Sequence, residues 1–262
     1  MPLITIDPDK CNHDGLCAQA CPVYLIRMEK GALPEAIDRA KELCIRCGHC
    51  VAVCPTGALS NSLMPTEDFL PVPENRPGAD EVEALLLSRR SVRGFRKEPI
   101  PREQLERLIE VARRAPTASN SQNVSWVMIQ DPAKLERVKE LTAGWMTTVD
   151  RLKRYAEGLE RGRDMVLRGG TALAMAYAPE AYLWGVADSA IALTYMELMA
   201  SGMGLGACWG GLVTSACGQV PELAELMGIP EEYKACGALM LGLPKQKHLL
   251  IPPRNPARVK WL

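Results

Sequence analysis

Apolar residues recur at helical spacing in two stretches beyond residue 79. Over Asp80–Arg89 they are Val82, Leu85 and Leu86, and over Pro101–Ala115 they are Leu105, Leu108, Ile109 and Ala112. Residues three and four apart stack on one side of an α-helix, so both stretches predict amphipathic helices. Val124–Gln130 (VSWVMIQ) is short, apolar and partly β-branched, and Ala235–Leu243 (ACGALMLGL) has the same buried character. These predict strands. Longer helices are predicted over Thr147–Arg168 and Glu180–Ser201. Strands interleaved with longer helices predict an α+β domain in which helices cover a sheet.

The pattern changes near residue 65, where cysteine-dense sequence gives way to a connector carrying Pro65, Pro71, Pro73 and Pro77. A proline-rich run of this kind is extended. The expected organisation is a small domain over 1–65, a linker over 66–79 and a larger domain over 80–262. Leu198–Pro221 holds no charged residue, but it contains Gly202, Gly204, Gly206, Gly210, Gly211 and Gly218. So many glycines predict a buried loop there and no membrane span. Lys plus Arg and Asp plus Glu balance at 31 each, which leaves no basic field to hold nucleic acid. The start, MPLITIDPDK, lacks the features of an export signal, and a cytoplasmic setting is expected.

Seven of the ten cysteines fall within the first 54 residues. Regular spacing in a reducing compartment points to metal ligation over disulfides. Cys44, Cys47, Cys50 and Cys54, followed by Pro55, form C-x2-C-x2-C-x3-C-P, whose first three thiolates each hold one iron of a cube while the fourth reaches another cluster. Cys11, Cys17, Cys21 and Pro22 repeat those offsets, with Asp14 where the second cysteine would stand. Zinc sites pair two C-x2-C halves to make four ligands, which two C-P repeats fit poorly. Residues 1–65 resemble bacterial two-cluster ferredoxins. The resemblance implies crossed ligation: Cys21, Cys44, Cys47 and Cys50 on a [4Fe-4S] cluster, and Cys11, Cys17 and Cys54, with or without Asp14, on the other. A carboxylate is a harder ligand than a thiolate and holds that iron less firmly. An Asp-ligated [4Fe-4S] cube, a water-ligated cube and a [3Fe-4S] cluster all stay open. So does a plain Asp14–Gly15 turn.

In the larger domain, SRRSVRGF clusters Arg89, Arg90, Ser91 and Arg93 just after a predicted helix. Guanidinium forks suit a phosphate dianion. APTASNSQNVSW supplies Asn120 and Gln122, whose amides suit the edge of a flavin ring. The RRS-x-R run, AP-T-x-x-N-x-Q, D-x-x-IAL-x-x-x-x-LMA from Asp188, GLGACWGG and the late Arg254 stand in the order found in the nitroreductase family, and residues 80–262 resemble it. That resemblance implies helices around a central, mostly antiparallel sheet, and a homodimer with one FMN per subunit at the interface. It also implies Arg89, Arg90, Ser91 and Arg254 on phosphate and ribityl groups, and Arg93, Asn120 and Gln122 at the pyrimidine edge. Gly210 and Gly211 would bring backbone close to the flavin, where an N–H can meet N5. Asn123 departs from a proline common in the family. GMGLGACWGG lacks the G-x-G-x-x-G spacing of a dinucleotide site.

Cys208, Cys217 and Cys236 have no ligand spacing and are expected in the core. The fusion reads as an FMN-dependent oxidoreductase that converts one-electron into two-electron transfer. Reduced ferredoxin or NAD(P)H is the expected donor, and a small electron-poor acceptor, nitroaromatic or quinone, the expected oxidant. Two other expectations stand beside it, an electron-transfer module for a larger redox partner and a specialised reductase such as a dehalogenase.

Overall fold

The computed structural model describes residues 1–262, the side chain of Glu160 excepted. Met1–Arg76 with Ser119–Ser121 form one unit, and Pro77–Ala118 with Gln122–Leu262 form a second.

In the first unit, β1 (Ile4–Ile6) pairs antiparallel with β4 (Leu59–Asn61), and β2 (Ile26–Arg27) with β3 (Glu35–Ala36). Three single-turn helices lie between them, α1 (Leu16–Gln19), α2 (Ala40–Leu43) and α3 (His49–Ala52). The cysteine repeat is also a backbone repeat. Positive φ occurs at the matched positions His13 and Arg46, Gly15 and Gly48, and Tyr24 and Gly57. Gly15 and Gly48 each precede a short helix at φ 71 and 74. At Gly48 an added Cβ would also lie 3.0 Å from the Phe69 ring, so glycine is required there twice over. Leu3, Ile4, Leu25, Ile26, Val51 and Leu59 make a small core that includes Cys17, Cys21 and Cys50. A core this small needs cross-links to hold the chain.

The second unit is built on a four-stranded antiparallel sheet of order β5-β6-β8-β7. Its strands are β5 (Ser125–Ile129), β6 (Ala172–Pro179), β7 (Gly206–Trp209) and β8 (Tyr233–Gly242). Around it lie α4 (Ala79–Ser88), α5 (Arg102–Ala112), α6 (Pro132–Thr147), α7 (Lys153–Glu160), α8 (Gly185–Gly202), α9 (Gly211–Cys217) and α10 (Pro221–Leu226). Alternation along the central strands sorts the core into two layers. Ala174, Ala176, Leu239 and Leu241 face Leu105 and Leu108 of α5 and Leu193 and Met196 of α8. Leu173, Met175, Ala238 and Met240 face Val138 and Met146 of α6, Val213 of α9 and Leu223 of α10. With both faces covered, β6 and β8 carry no polar alternation.

The arginine-rich segment runs along the outer edge of this sheet. Ser91 bridges Ala207 in parallel, and the Val92 N–H donates to Ala207 O at 2.9 Å. Phe95 is fully buried. Gly206 and Gly242 make room for it, since a Cβ at either would come within 3.0 Å of the Phe95 ring.

The α+β architecture matches the sequence expectation, and several elements differ from it. Thr147–Arg168 is not one long helix. The helix is α6, which begins at Pro132 and is capped by the Asp131 carboxylate accepting from Lys134 N at 2.8 Å. The chain then makes a 3-10 turn over Asp150–Leu152, and α7 follows. Asp-Pro sets the true start, because Pro fits the first helical turn and Asp caps it. The expected helix over Glu180–Ser201 begins only at Gly185. Leu198–Pro221 is not a loop either: it contains the end of α8, then β7 and α9. Its lack of charge reflects burial of β7 between β8 and Ser91–Val92.

Candidate functional site

The first unit brings five of its seven cysteines into two neighbourhoods. Burial pushes the Cys17 thiol up, and the nearby charges of Cys54 and Asp14 add to the shift. Burial likewise raises the Cys50 thiol, with Cys47 and Cys21 adding. Cys54 from the second motif thus sits with Cys17 of the first, and Cys21 from the first sits with Cys47 and Cys50. The last cysteine of each repeat accepts the amide four residues on, Leu25 N to Cys21 Sγ at 3.2 Å and Ala58 N to Cys54 Sγ at 3.3 Å. At Cys54 burial favours the thiol, but the Thr56 hydroxyl and the backbone amides outweigh it and the pKa is lowered. These donors favour the thiolate that iron needs. Among the described residues, no three His, Cys, Asp or Glu side chains converge on one ion-sized point. The Asp14 Oδ1 accepts from Leu16 N at 3.0 Å, so one carboxylate oxygen closes a turn at the head of α1. His13 Nδ1 is within hydrogen-bond distance of Ala32 O, 3.0 Å away.

In the second unit the predicted flavin residues fall into separate places. Arg89 and Arg90 line a cavity of about 330 Å³ with Ser88, Glu197, Ala207 and Lys247. Arg89 Nη1 pairs with Glu197 Oε1 at 2.9 Å. The buried Nε of Arg90 has no partner among the described residues. Arg93, Gly210 and Gly211 line another cavity, of about 450 Å³, with Arg151, Arg168, Cys208 and Trp209. Adjacent residues of β7, Ala207 and Cys208, line the two cavities. Burial raises the Cys208 thiol, while Arg93, Arg168 and Arg89 all pull it down, so three guanidinium groups act on this point of the edge strand.

Gly210 N–H donates to Ala238 O at 2.7 Å. Of the glycine pair it is therefore Gly211, at the first position of α9, whose amide has no intrahelical acceptor. Gln122 lines a third cavity, of about 270 Å³, with Thr117 and Trp126. The turn before it is held by Asp188, a buried carboxylate that accepts the Ala118 amide at 3.2 Å and the Tyr182 hydroxyl at 2.6 Å. Asn120 groups with the first unit, where its Nδ2 donates to Ile45 O and Arg46 O. Arg254 lies in the exposed segment after β8, outside any helix or strand. Arg151 and Arg168 carried no sequence signal, since neither stands in any of the motifs that marked the site. Cys208, Cys217 and Cys236 are buried, and burial alone pushes Cys217 up to about 11.

A helix-covered antiparallel sheet with a cationic, glycine-backed cavity at its edge, joined to a unit with two cysteine neighbourhoods, defines an iron–sulfur flavoprotein oxidoreductase. The chain belongs to the nitroreductase family, whose model matches residues 86–243, and a 4Fe-4S dicluster domain model matches residues 9–59. It is 28% identical over 179 residues to an FMN reductase [NAD(P)H] of Bacillus subtilis (strain 168), covering 64% of this chain and 68% of that one. It is 29% identical over 175 residues to an NADPH-flavin oxidoreductase of Vibrio harveyi, covering 66% and 70%. An FMN-bound nitroreductase structure from Bacteroides fragilis NCTC 9343 superposes with a TM-score of 0.60 at 25% identity, covering 70% of this chain and 98% of the other. The protein is an FMN-dependent oxidoreductase carrying a 4Fe-4S ferredoxin-type domain. No helix among the described residues is long and apolar enough to cross a membrane.

Proposed function

We propose that electrons from reduced ferredoxin or NAD(P)H pass through two clusters to FMN, and that a small electron-poor acceptor, a nitroaromatic or quinone, is reduced at the flavin. One observation carries this reading. A single chain joins a cysteine unit with two neighbourhoods to a flavin-family fold whose edge cavity holds Arg93, Arg151 and Arg168 and, among the described residues, no acidic one.

When bound, the clusters carry single electrons, and FMN takes one or two and delivers a hydride equivalent. The residues of this chain bind and orient. Cys21, Cys44, Cys47 and Cys50 hold one cluster, and Cys11, Cys17 and Cys54 hold the other. Arg89 and Arg90, with Ser91 and Arg254, take the phosphate end of FMN, and the unpartnered Arg90 Nε is a donor suited to an anion. Arg93 would address the ring together with the Gly211 amide, which meets no acceptor among the described residues. Trp209, half-exposed, walls the same cavity.

A homodimer fits the surface of the second unit. Helix α4 buries none of its residues and exposes Val82, Leu86 and Leu87, and α8 exposes Ile191 and Tyr195. Apolar helix faces of this kind are covered in an assembled protein.

The test is anaerobic stepwise reduction with NADH, NADPH or reduced ferredoxin, following flavin absorbance and cluster EPR together. The expected result is reduction of both cofactors by one donor, then reoxidation by a nitroaromatic or quinone. Equal acceptor turnover after FMN has been stripped would refute the proposal.

A further inference from the structure

Asn120 makes two hydrogen bonds that its expected place beside a flavin ring does not explain. Its Nδ2 donates to Ile45 O at 2.9 Å and to Arg46 O at 3.0 Å. These are the two residues between Cys44 and Cys47. In a trans peptide the C=O and N–H of one unit point opposite ways. Drawing both carbonyls toward Asn120 therefore turns the Arg46 and Cys47 amides away from it. Among the described residues the amides of Ile45, Arg46, Cys47 and Gly48 meet no acceptor. Arg46 at φ 53 and Gly48 at φ 74 place left-handed residues on either side of Cys47. Backbone of mixed hand gathers successive N–H groups into an anion-holding concavity, the arrangement found around iron–sulfur sites.

The donor also stands on left-handed backbone. Asn120 adopts φ 52, between Ser119 at φ 51 and Gln122 at φ 53. Asn is among the few residues that tolerate this region, because its short polar side chain finds local partners. In the matching loop of the first repeat, His13 is the residue that meets a carbonyl, that of Ala32. The clamp on two successive carbonyls belongs to the second repeat.

We infer that Asn120 is a positioning residue for the cluster loop Cys44–Cys47, fixing the peptide planes so that the Arg46 and Cys47 amides hydrogen-bond the cluster sulfurs and raise its reduction potential. The inference rests on the ligand set proposed above. Reduction adds negative charge to the cluster, and N–H donors to its sulfurs favour the reduced form. The effect is confined to the cluster held by Cys21, Cys44, Cys47 and Cys50.

The test uses the full chain, isolated anaerobically and loaded with FMN and clusters, with the variants Asn120→Gly and Asn120→Asp. Glycine adopts the left-handed backbone freely and removes the donor. Aspartate keeps the shape and, ionised, only accepts. EPR-monitored redox titration should show one cluster shifted to lower potential in both variants and the other unmoved. In N120G the reduced-to-oxidised ratio at a fixed potential should fall about tenfold, or about 59 mV for a one-electron couple. Unmoved midpoints in both variants would overturn the inference. So would loss of FMN binding with both cluster midpoints unmoved, which would return Asn120 to the flavin. Wild-type protein that takes up no iron or sulfide on reconstitution would instead remove the cluster reading itself.

Discussion

Gly237 is the glycine with least room for a side chain. An added Cβ would stand 2.6 Å from Leu193 Cδ1, 2.9 Å from Trp209 Cη2 and 3.0 Å from Trp209 Cζ2. Leu193 is completely buried in the layer between α8 and the sheet, whereas Trp209 is 44% exposed, so the indole must give way. Overpacking by one methyl costs about 1–3 kcal/mol. At about 2–4 °C per kcal/mol for a unit of this size, Gly237→Ala should lower Tm by about 2–12 °C. Gly144 in α6 supplies the opposite case, because nothing lies within 4 Å of its added Cβ and its backbone is helical. There alanine gains about 0.5–1 kcal/mol from helix propensity.

The same chemical change should therefore act with opposite sign at the two positions. Calorimetry of the holoprotein measures this, with FMN retention on gel filtration as a second readout. Because Trp209 lines the cavity with Gly210 and Gly211, G237A should also release FMN, whereas G144A should retain it. Shifts of the same sign, or a G237A cost below about 0.5 kcal/mol, would refute the packing argument.

Other consequences can be tested alongside. Arg93→Ala and Arg168→Ala should each weaken FMN binding by about 10–150-fold, the loss of one charge-assisted hydrogen bond of about 1.5–3 kcal/mol; fluorescence titration with unchanged affinity would exclude that residue from the site. Asp14→Cys should raise the iron retained per chain through anaerobic gel filtration, since it completes the first C-P motif; unaltered iron content would show that position 14 does not reach a cluster. The Cys217 thiol, at about 11 in the folded protein against an ordinary value of 9.0, contributes stability that is complete below pH 9 and lost as pH rises through 11. Cys217→Ala should flatten that alkaline decline in urea unfolding, and an unchanged slope between pH 9 and 11 would contradict the burial argument.

How much the sequence disclosed depended on how local each signal was. The helices at 80–89 and 101–115 were legible because their apolar spacing is complete within a few turns. Strand β6 was not, because ALAMAYAP is alanine-rich and its strand state comes from pairing on both sides with β5 and β8. Strand β7 was hidden in a glycine-rich run whose small residues are required by Val92 and Phe95 packed against them. The 4Fe-4S domain was legible because its cysteine motif is written in short spacings. The cationic cavity was legible only in part. Arg93 stands in a motif, while Arg151 comes from the 3-10 turn before α7 and Arg168 from the segment after it, and both reach the cavity only through the tertiary fold.

The cysteine repeat shows which feature the fold protects. His13 and Arg46, and Tyr24 and Gly57, share no side-chain chemistry, yet each pair adopts the same positive φ. Backbone handedness is thus preserved where residue type has diverged, even at a cost of about 1–2 kcal/mol per non-glycine residue. Asp14 fits this logic. At the position matching Cys47 it ties the loop through its carboxylate to Leu16 N at the head of α1. A local hydrogen bond there can keep the turn in shape without a bond to iron. Geometry and ligation are therefore separable at position 14. In the second repeat the loop is instead clamped from outside by Asn120 on Ile45 and Arg46, so its amides are held whether or not Cys47 is bound. The two loops share a backbone and differ in what fixes it, so on the proposed ligation the two clusters are expected to have unequal surroundings and unequal potentials.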